Sequence, residues 1–443
     1  MHNVLQYHRN NTEEHTPMRK PPALSRLLVA ALTVVAITPA ATGVAHSATP
    51  AYPHIWAPTA HAFQTLPDYA PVDANSRSIV QNVKQYGIEQ YGVPARDLPS
   101  MNLATHQYSN PLWKAKNSDP TYDIQFSDCQ HKGYLPSVFQ DLKGVHIPEK
   151  AVPSEGSDGQ IVVFNVDSGR YVELWQSFKL HDKWFACWGS SITNSYESEG
   201  IFPSPKGVSA SGAALEPYTV KVEELKAGRI DHAIGIAVPP EVIDTHISRP
   251  ATRTDGLQPR TVKTLSLGQY LRLPASLDVD SLNLHPVAKA IAKAAQKYGF
   301  MVMDGSGGIN ISLENAATFA TDPYPELFGN ADNYNVMWGG RSRQYDPFPF
   351  DKLQALSRNY VPSADVLIEV TDERDDSFGF RAHGAPDGAR MVITWWRDKQ
   401  DQFTTVRTMD WWSGKQIGYR DAQAKVIDSE GNTLGMSSIV KRS

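Results

Sequence analysis

Cysteine is almost missing from this chain: 443 residues contain two, Cys129 and Cys187. Two thiols are too few for a cysteine-based zinc site, and no histidine cluster stands ready to complete one. They suffice for a single disulfide, the reading an oxidising compartment favours. A catalytic thiol, the alternative, needs a nearby base and an electropositive setting. Trp184-Phe185-Ala186-Cys187-Trp188 instead reads as a buried strand. Charge is also sparse. Charged residues make up 20% and the net charge is −5, so the basic footprint of a nucleic-acid binder or a polybasic membrane binder is missing, and nucleic acid is not an expected partner. No phosphate-cradling GxxxxGK[ST] occurs, and Ser209-Ala210-Ser211-Gly212 lacks the spacing of a GxSxG elbow. Asp278-Val279-Asp280 lacks the glycine and terminal glutamate of an EF-hand loop. No metal or cofactor is implied.

One long apolar run is present, Leu27 to Pro39, preceded by Arg19, Lys20 and Arg26 and followed by Ala45-His46-Ser47. It is shorter than the roughly 20 residues of a bilayer span, and the small-x-small site completes a cleavable export signal. Residues 1–47 are therefore expected to be a signal peptide, with the mature chain beginning near Ala48; a retained anchor is the weaker alternative. Met18 offers a compact basic start, whereas Met1 to Pro17 carries Glu13 and Glu14. The protein is expected to be secreted, monomeric and free of the membrane after cleavage. Removing the first 47 of 443 residues leaves 396, enough for one large and one small domain.

Aromatics are what the chain has in abundance, 10 Trp and 18 Tyr among them. In strand-like segments they either fill a β core or form platforms for ligands with flat apolar faces, sugars included. Residues 48–157 read as an extended and helical segment packed on the main domain, with a helix over Ser78 to Tyr91 that Gly87 weakens. From 158 the pattern turns to strands. Gln160 to Val166 and Tyr171 to Phe178 flank Asp167-Ser168-Gly169-Arg170, a hairpin signal. Further strands are expected at 183–188, 229–238, 261–267, 270–273, 300–303 and 309–313. Pro286 to Tyr298 reads as a helix, with proline at its start and Gly299 past its end. Asp351 to Leu356 reads as a short helix. The series predicts a mainly β fold: a jelly-roll-like β-sandwich over 158–360 with a few peripheral helices. Strands at 365–371, 390–396, 403–409 and 422–428 predict a small immunoglobulin-like sandwich over 361–443. Tyr419 to Asn432 resembles the closing strands of bacterial immunoglobulin-like and fibronectin type III modules.

Strand alternation places Tyr171, Glu173, Trp175 and Ser177 on one side of their strand. Two rings beside a carboxylate suit a pyranose, the rings stacking on its C–H face and the acid fixing orientation; a solvated outer face is the plain alternative. His232, within Gly228 to Val238, alternates with Ile230, Ile234, Ile236 and Val238, as a buried acid or base or as a satisfied core histidine. Arg229 and Asp231 read as an exposed pair. Asp255 and Asp304 precede glycines and read first as turn residues. A glycosidase needs two carboxylates across the scissile bond, a separation that sequence spacing does not give.

Asp158-Gly159 with the following hairpin, Glu173-Leu174-Trp175, Cys187-Trp188-Gly189, Ala210-Ser211-Gly212, Glu224 with Gly228 to Ala233, and Tyr298-Gly299 are similar to a family of secreted actinobacterial proteins. The resemblance spans residues 70–350. It implies export and a β-sandwich of the lectin and glucanase type, and it assigns no catalyst. The expectation is a protein that binds or degrades an extracellular polysaccharide, as hydrolase or lyase, with Glu173 and His232 as acid/base residues, and Tyr171, Trp175, Trp188 and Asp255 holding the sugar. A non-catalytic carbohydrate-binding or cell-wall adhesive protein is the alternative.

Overall fold

A computed structural model of the chain describes residues 54–360, apart from 69, 128, 130–135 and 330, together with strand segments between 367 and 441. The expected signal peptide and the start of the mature chain lie outside the described residues. The fold is mainly β, with helices few and short. Two sheets organise residues 54–360. The larger has six strands in the order Asn102–Ala104, Asn310–Ser312, Ile234–Val238, Phe300–Gly305, Tyr270–Arg272 and Gln354–Ala355. The smaller has four, in the order Trp188–Ile192, Tyr171–Trp175, Ile161–Asn165 and Leu112–Ala115.

Both sheets are mixed. Asn102–Ala104 runs parallel to Asn310–Ser312, Ile234–Val238 parallel to Phe300–Gly305, and Leu112–Ala115 parallel to Ile161–Asn165. Jelly-roll pairing is antiparallel, so the observed strand order departs from the expected one. The helix Pro286–Lys297 joins Tyr270–Arg272 to its antiparallel neighbour Phe300–Gly305, within the long return that separates the parallel pair Ile234–Val238 and Phe300–Gly305. The His285 side chain accepts from Val287 N at its start, and Gly299, at φ +83°, closes its end. Buried Ala288, Ala290, Ala292, Ala294 and Ala295 let it pack closely.

Helix Ser76–Tyr91 packs Ile79, Val80 and Val83 into the same core. Its Gly87 is required by a close approach: a Cβ there would lie 3.0 Å from Ile309 and 3.0 Å from Pro99. The stretch 48–157 is thus more than a cover, since Asn102–Ala104 and Leu112–Ala115 are hydrogen-bonded members of the two sheets. Both strands are only three or four residues long, too short for an alternating pattern to stand out. Residues 351–356 form a 3₁₀ turn, Phe350–Lys352, and an edge strand, Gln354–Ala355, in place of a helix.

Beyond residue 366, Leu367–Asp372, Phe378–His383 and Trp411–Gly414 form one antiparallel sheet. Gln402–Arg407, Arg390–Trp396, Asp421–Ile427 and Thr433–Met436 form another, to which Val440–Lys441 adds. Ala422, Ala424 and Val426 are buried in strict alternation. Of the strands missing from the sequence reading, three contain a glycine, Gly379, Gly414 or Gly435, which dilutes a strand signal, and the fourth, Val440–Lys441, is only two residues long.

Candidate functional site

The strand Tyr171–Trp175 is buried on both faces, which removes the open sugar face expected of it. Tyr171, Val172, Glu173 and Leu174 are all inaccessible, and only Trp175 is half-buried. The second face is covered by Trp56, whose ring meets Tyr171 edge-on at 4.7 Å, and by Phe202. Glu173, 0% exposed, accepts hydrogen bonds from Tyr171 Oη at 2.6 Å, Leu215 N at 2.5 Å and Val208 N at 3.2 Å. Burial pushes its carboxyl up to about 7 against the pull of these donors. It is an internal strut for the loop 207–216.

Trp188 serves the same loop. Its indole is buried and donates to Gly207 O at 3.0 Å. Arg253 clamps the loop from a third side, with Nη2 donating to Gly207 O, Val208 O and Ser209 O. Ser211 N donates to Met303 O at 3.0 Å. Gly212 holds φ +80°, and a Cβ there would clash with Thr252 Oγ1. The Ala210-Ser211-Gly212 motif therefore has a conformational cause.

That loop completes a cleft of about 830 Å³. Its floor is the larger sheet, through Asn102, Gly235, Asp304 and Asn310, and its walls carry Asp158, Gln160 and Trp175 from the side of the smaller sheet. Asp304 owes its position to a β-bulge. Ile236 pairs with Val302 but Ala237 pairs with Asp304, so Met303 is skipped and its carbonyl is left for Ser211. Ala210 N then donates to Asp304 Oδ2 at 3.0 Å, and Gly305 N to Oδ1 at 2.9 Å. Burial, joined by repulsion from Asp255 and Asp158, pushes Asp304 up to about 7 despite these donors. Across the cleft, Asp158 is raised by burial while Trp175 Nε1 donates to its Oδ1 at 3.4 Å. Two carboxyls thus share one cleft, the deeper carrying the cost of their repulsion.

Around them stand rings and neutral hydrogen-bonding groups: Tyr91, Tyr108 and Tyr334, with Asn102, Asn310 and Asn333. Asn102 Nδ2 donates to Asn310 Oδ1 at 2.8 Å across the parallel strand pair. His106 also lines the cleft, its Nε2 3.3 Å from Asp322. Sequence reasoning missed these groups because they come from four separate segments, at 91, 102–108, 310 and 333–334. The usable signal was at Asp304, a carboxylate ending a buried strand just before Gly305-Ser306-Gly307-Gly308.

His232 lies elsewhere. The segment 229–233 is not strand, because Gly228 ends the helix Val222–Ala227 at φ +64° and Ala233 N donates to Ala62 O. The imidazole is fully buried, with Nε2 2.9 Å from Glu224 Oε2 and Nδ1 2.7 Å from Ala233 O. Burial alone would raise Glu224, but the charge and hydrogen bond of His232 bring it down to about 2. This is a satisfied internal pair, away from the cleft lining. Arg229 Nε meets Asp231 Oδ2 at 2.8 Å. Asp255 is exposed, within electrostatic range of Asp304 and Arg253 but outside the cleft lining. Asp278 Oδ1 accepts from Asp280 N and Ser281 N, a local turn. Among the described residues no group of three or more His, Cys, Asp or Glu could hold a metal ion, and no helix is long and apolar enough to cross a membrane. Cys129 and Cys187 form a disulfide, with Cα atoms 5.2 Å apart. No protein-family model, curated protein or solved structure matches this chain.

Proposed function

We propose that the cleft binds an extracellular polysaccharide and cleaves it, with Asp304 and Asp158 as the acid/base pair and Trp175 as a stacking platform. The observation that carries this reading is the pair of raised carboxyls facing one large, ring-lined cleft. Acid/base chemistry on a glycoside needs one carboxyl protonated and one ionised at the same pH. Asp304, raised to about 7, is the proton donor; Asp158, shallower and beside the Trp175 indole, is the base. The half-buried Trp175 ring lies at the wall, where a pyranose can stack on it. Glu173, Trp188 and Arg253 act indirectly, by fixing the loop whose Ala210 N–H holds Asp304.

Export is part of the proposal. The apolar run at 27–39 and a disulfide of the kind that persists in oxidising compartments support it. The two sheets beyond residue 366 support an immunoglobulin-like module as spacer or adhesive unit. The test is Asp304→Asn and Asp158→Asn, each assayed for oligosaccharide release and for binding by Trp fluorescence. Each should lower turnover by about 10²-fold or more with binding retained, and wild-type turnover should show a bell-shaped pH profile whose upper limb lies near 7. Binding by wild type with no release of ends under any condition would leave the adhesive reading in its place.

A further inference from the structure

The hydrolase and lyase alternatives differ in the charge a cleft must supply. Elimination from a uronate removes the proton beside its carboxylate, so the site must neutralise that carboxylate as negative charge builds toward the enolate. A guanidinium, an ammonium or a metal ion does this most strongly; amide, hydroxyl or protonated carboxyl donors do it without adding positive charge. Hydrolysis of a glycoside builds positive charge at the anomeric carbon, which carboxylates stabilise.

The cleft lining carries Asp158, Asp304 and Glu155, and among the described residues that line it none is Lys or Arg. Arg253 lies behind the 207–209 loop, its Nη2 on three backbone carbonyls and its charge directed at Asp304, Asp255 and Glu173. His106, the one imidazole of the lining, faces Asp322. The remaining polar lining, Asn102, Asn310, Asn333 and Gln160 among it, suits hydroxyl groups. A polyanion entering this site would bring its charge against Asp158 and Glu155 with no Lys or Arg among the described lining residues, and the part of that repulsion at half-buried Asp158 acts where burial weakens screening.

We infer that the cleft accepts glycans without carboxylate or sulfate groups, neutral or amine-bearing, and that it cleaves them by hydrolysis and not by elimination; this rests on the glycan-cleft reading above. In the step, Asp304 gives its proton to the glycosidic oxygen as the C–O bond to the anomeric carbon breaks. Water from solvent supplies the oxygen that bonds to that carbon, and Asp158 takes the proton that water loses. One water is consumed, and the products are a new reducing end and a new hydroxyl end.

The test uses the full chain against sugar backbones each offered in neutral, amine and uronate form, glucan, chitosan and polyglucuronate being one such set. Binding is read by Trp fluorescence and products by mass and by absorbance at the wavelength of unsaturated uronates. Neutral and amine forms should bind at least about tenfold tighter than the uronate of the same backbone, and products should gain the mass of water. Glu155→Gln, at the exposed rim, should narrow that gap by a few-fold, more at low salt than at high. Preference for a uronate, or any unsaturated product, would overturn the inference and leave a glycan cleft standing. Failure of every form to bind would overturn the cleft reading itself.

Discussion

Replacing Glu173 by glutamine keeps the side chain's shape, removes its charge and turns one acceptor oxygen into a donor. All three partners of Glu173, namely Tyr171 Oη, Leu215 N and Val208 N, donate to it. The amide must therefore leave one of them facing an N–H, at a cost of about 1–3 kcal/mol for a buried donor without a partner. Wild type has a cost of its own that depends on pH. A carboxyl raised from 4.5 to about 7 on folding contributes stability that is fully present below pH 4.5 and lost as pH rises through 7. The loss reaches about 3 kcal/mol for a shift of this size. Glutamine does not titrate, so the variant's deficit should be largest near pH 5 and should shrink or vanish by pH 8. Urea unfolding followed by Trp fluorescence at both pH values measures it. A deficit that widens with pH would show that the three donors outweigh burial, and the reasoning would fail. A loss of turnover by orders of magnitude with unchanged stability would return Glu173 to the role of catalyst.

Trp175→Ala should weaken glycan binding by about one to two decades, from roughly 1–3 kcal/mol of lost stacking, with little effect on stability because the ring is only half-buried; a steep fall in melting temperature would make it core. His232→Asn should cost up to about 3–5 kcal/mol, because buried Glu224 loses its Nε2 partner and keeps the Lys221 N–H and the Lys221 charge, seen in urea unfolding at pH 7. Glu224, held near 2 in the folded chain, contributes stability that is present above pH 4.5 and lost as pH falls toward 2, so His232→Asn should also flatten the acid limb of the stability curve. Reducing the Cys129–Cys187 bridge, which spans 58 residues, should lower stability by about 4 kcal/mol in the chain-entropy model; intact mass after alkylation of unreduced, denatured protein should show no free thiol.

Local pattern carried the elements whose causes are local. Proline at the first turn and glycine past the last marked Pro286–Lys297 to within a residue, and the Asp167–Arg170 turn marked its hairpin, now seen as Ile161–Asn165 against Tyr171–Trp175. What failed was alternation as a guide to exposure. It separates the two faces of Tyr171–Trp175 correctly, yet says nothing of what covers each face. Trp56, more than a hundred residues earlier, and Phe202, thirty later, close the side on which Glu173 lies.

The same limit explains why the proposed acid/base role passes from Glu173 to Asp304. Both are carboxylates in buried strands, raised to about 7 by the same desolvation. Both meet protein donors at each oxygen, and they differ in what lies beyond those donors. Glu173 is enclosed by protein and does not line the cleft. Asp304 stands at the last turn of its strand, one skipped residue out of register, with its donors behind it and the cleft in front. A one-residue bulge is invisible to a period-two reading, since it shows only when the partner strand is known. That bulge also frees the Met303 carbonyl for Ser211, which ties the loop held by Glu173 and Trp188 to the carboxyl it supports. Glu173 and Trp188 are therefore coupled to Asp304 through the loop, so that Glu173→Gln should shift the pH profile of Asp304 where a remote core substitution of equal ΔΔG would leave it in place.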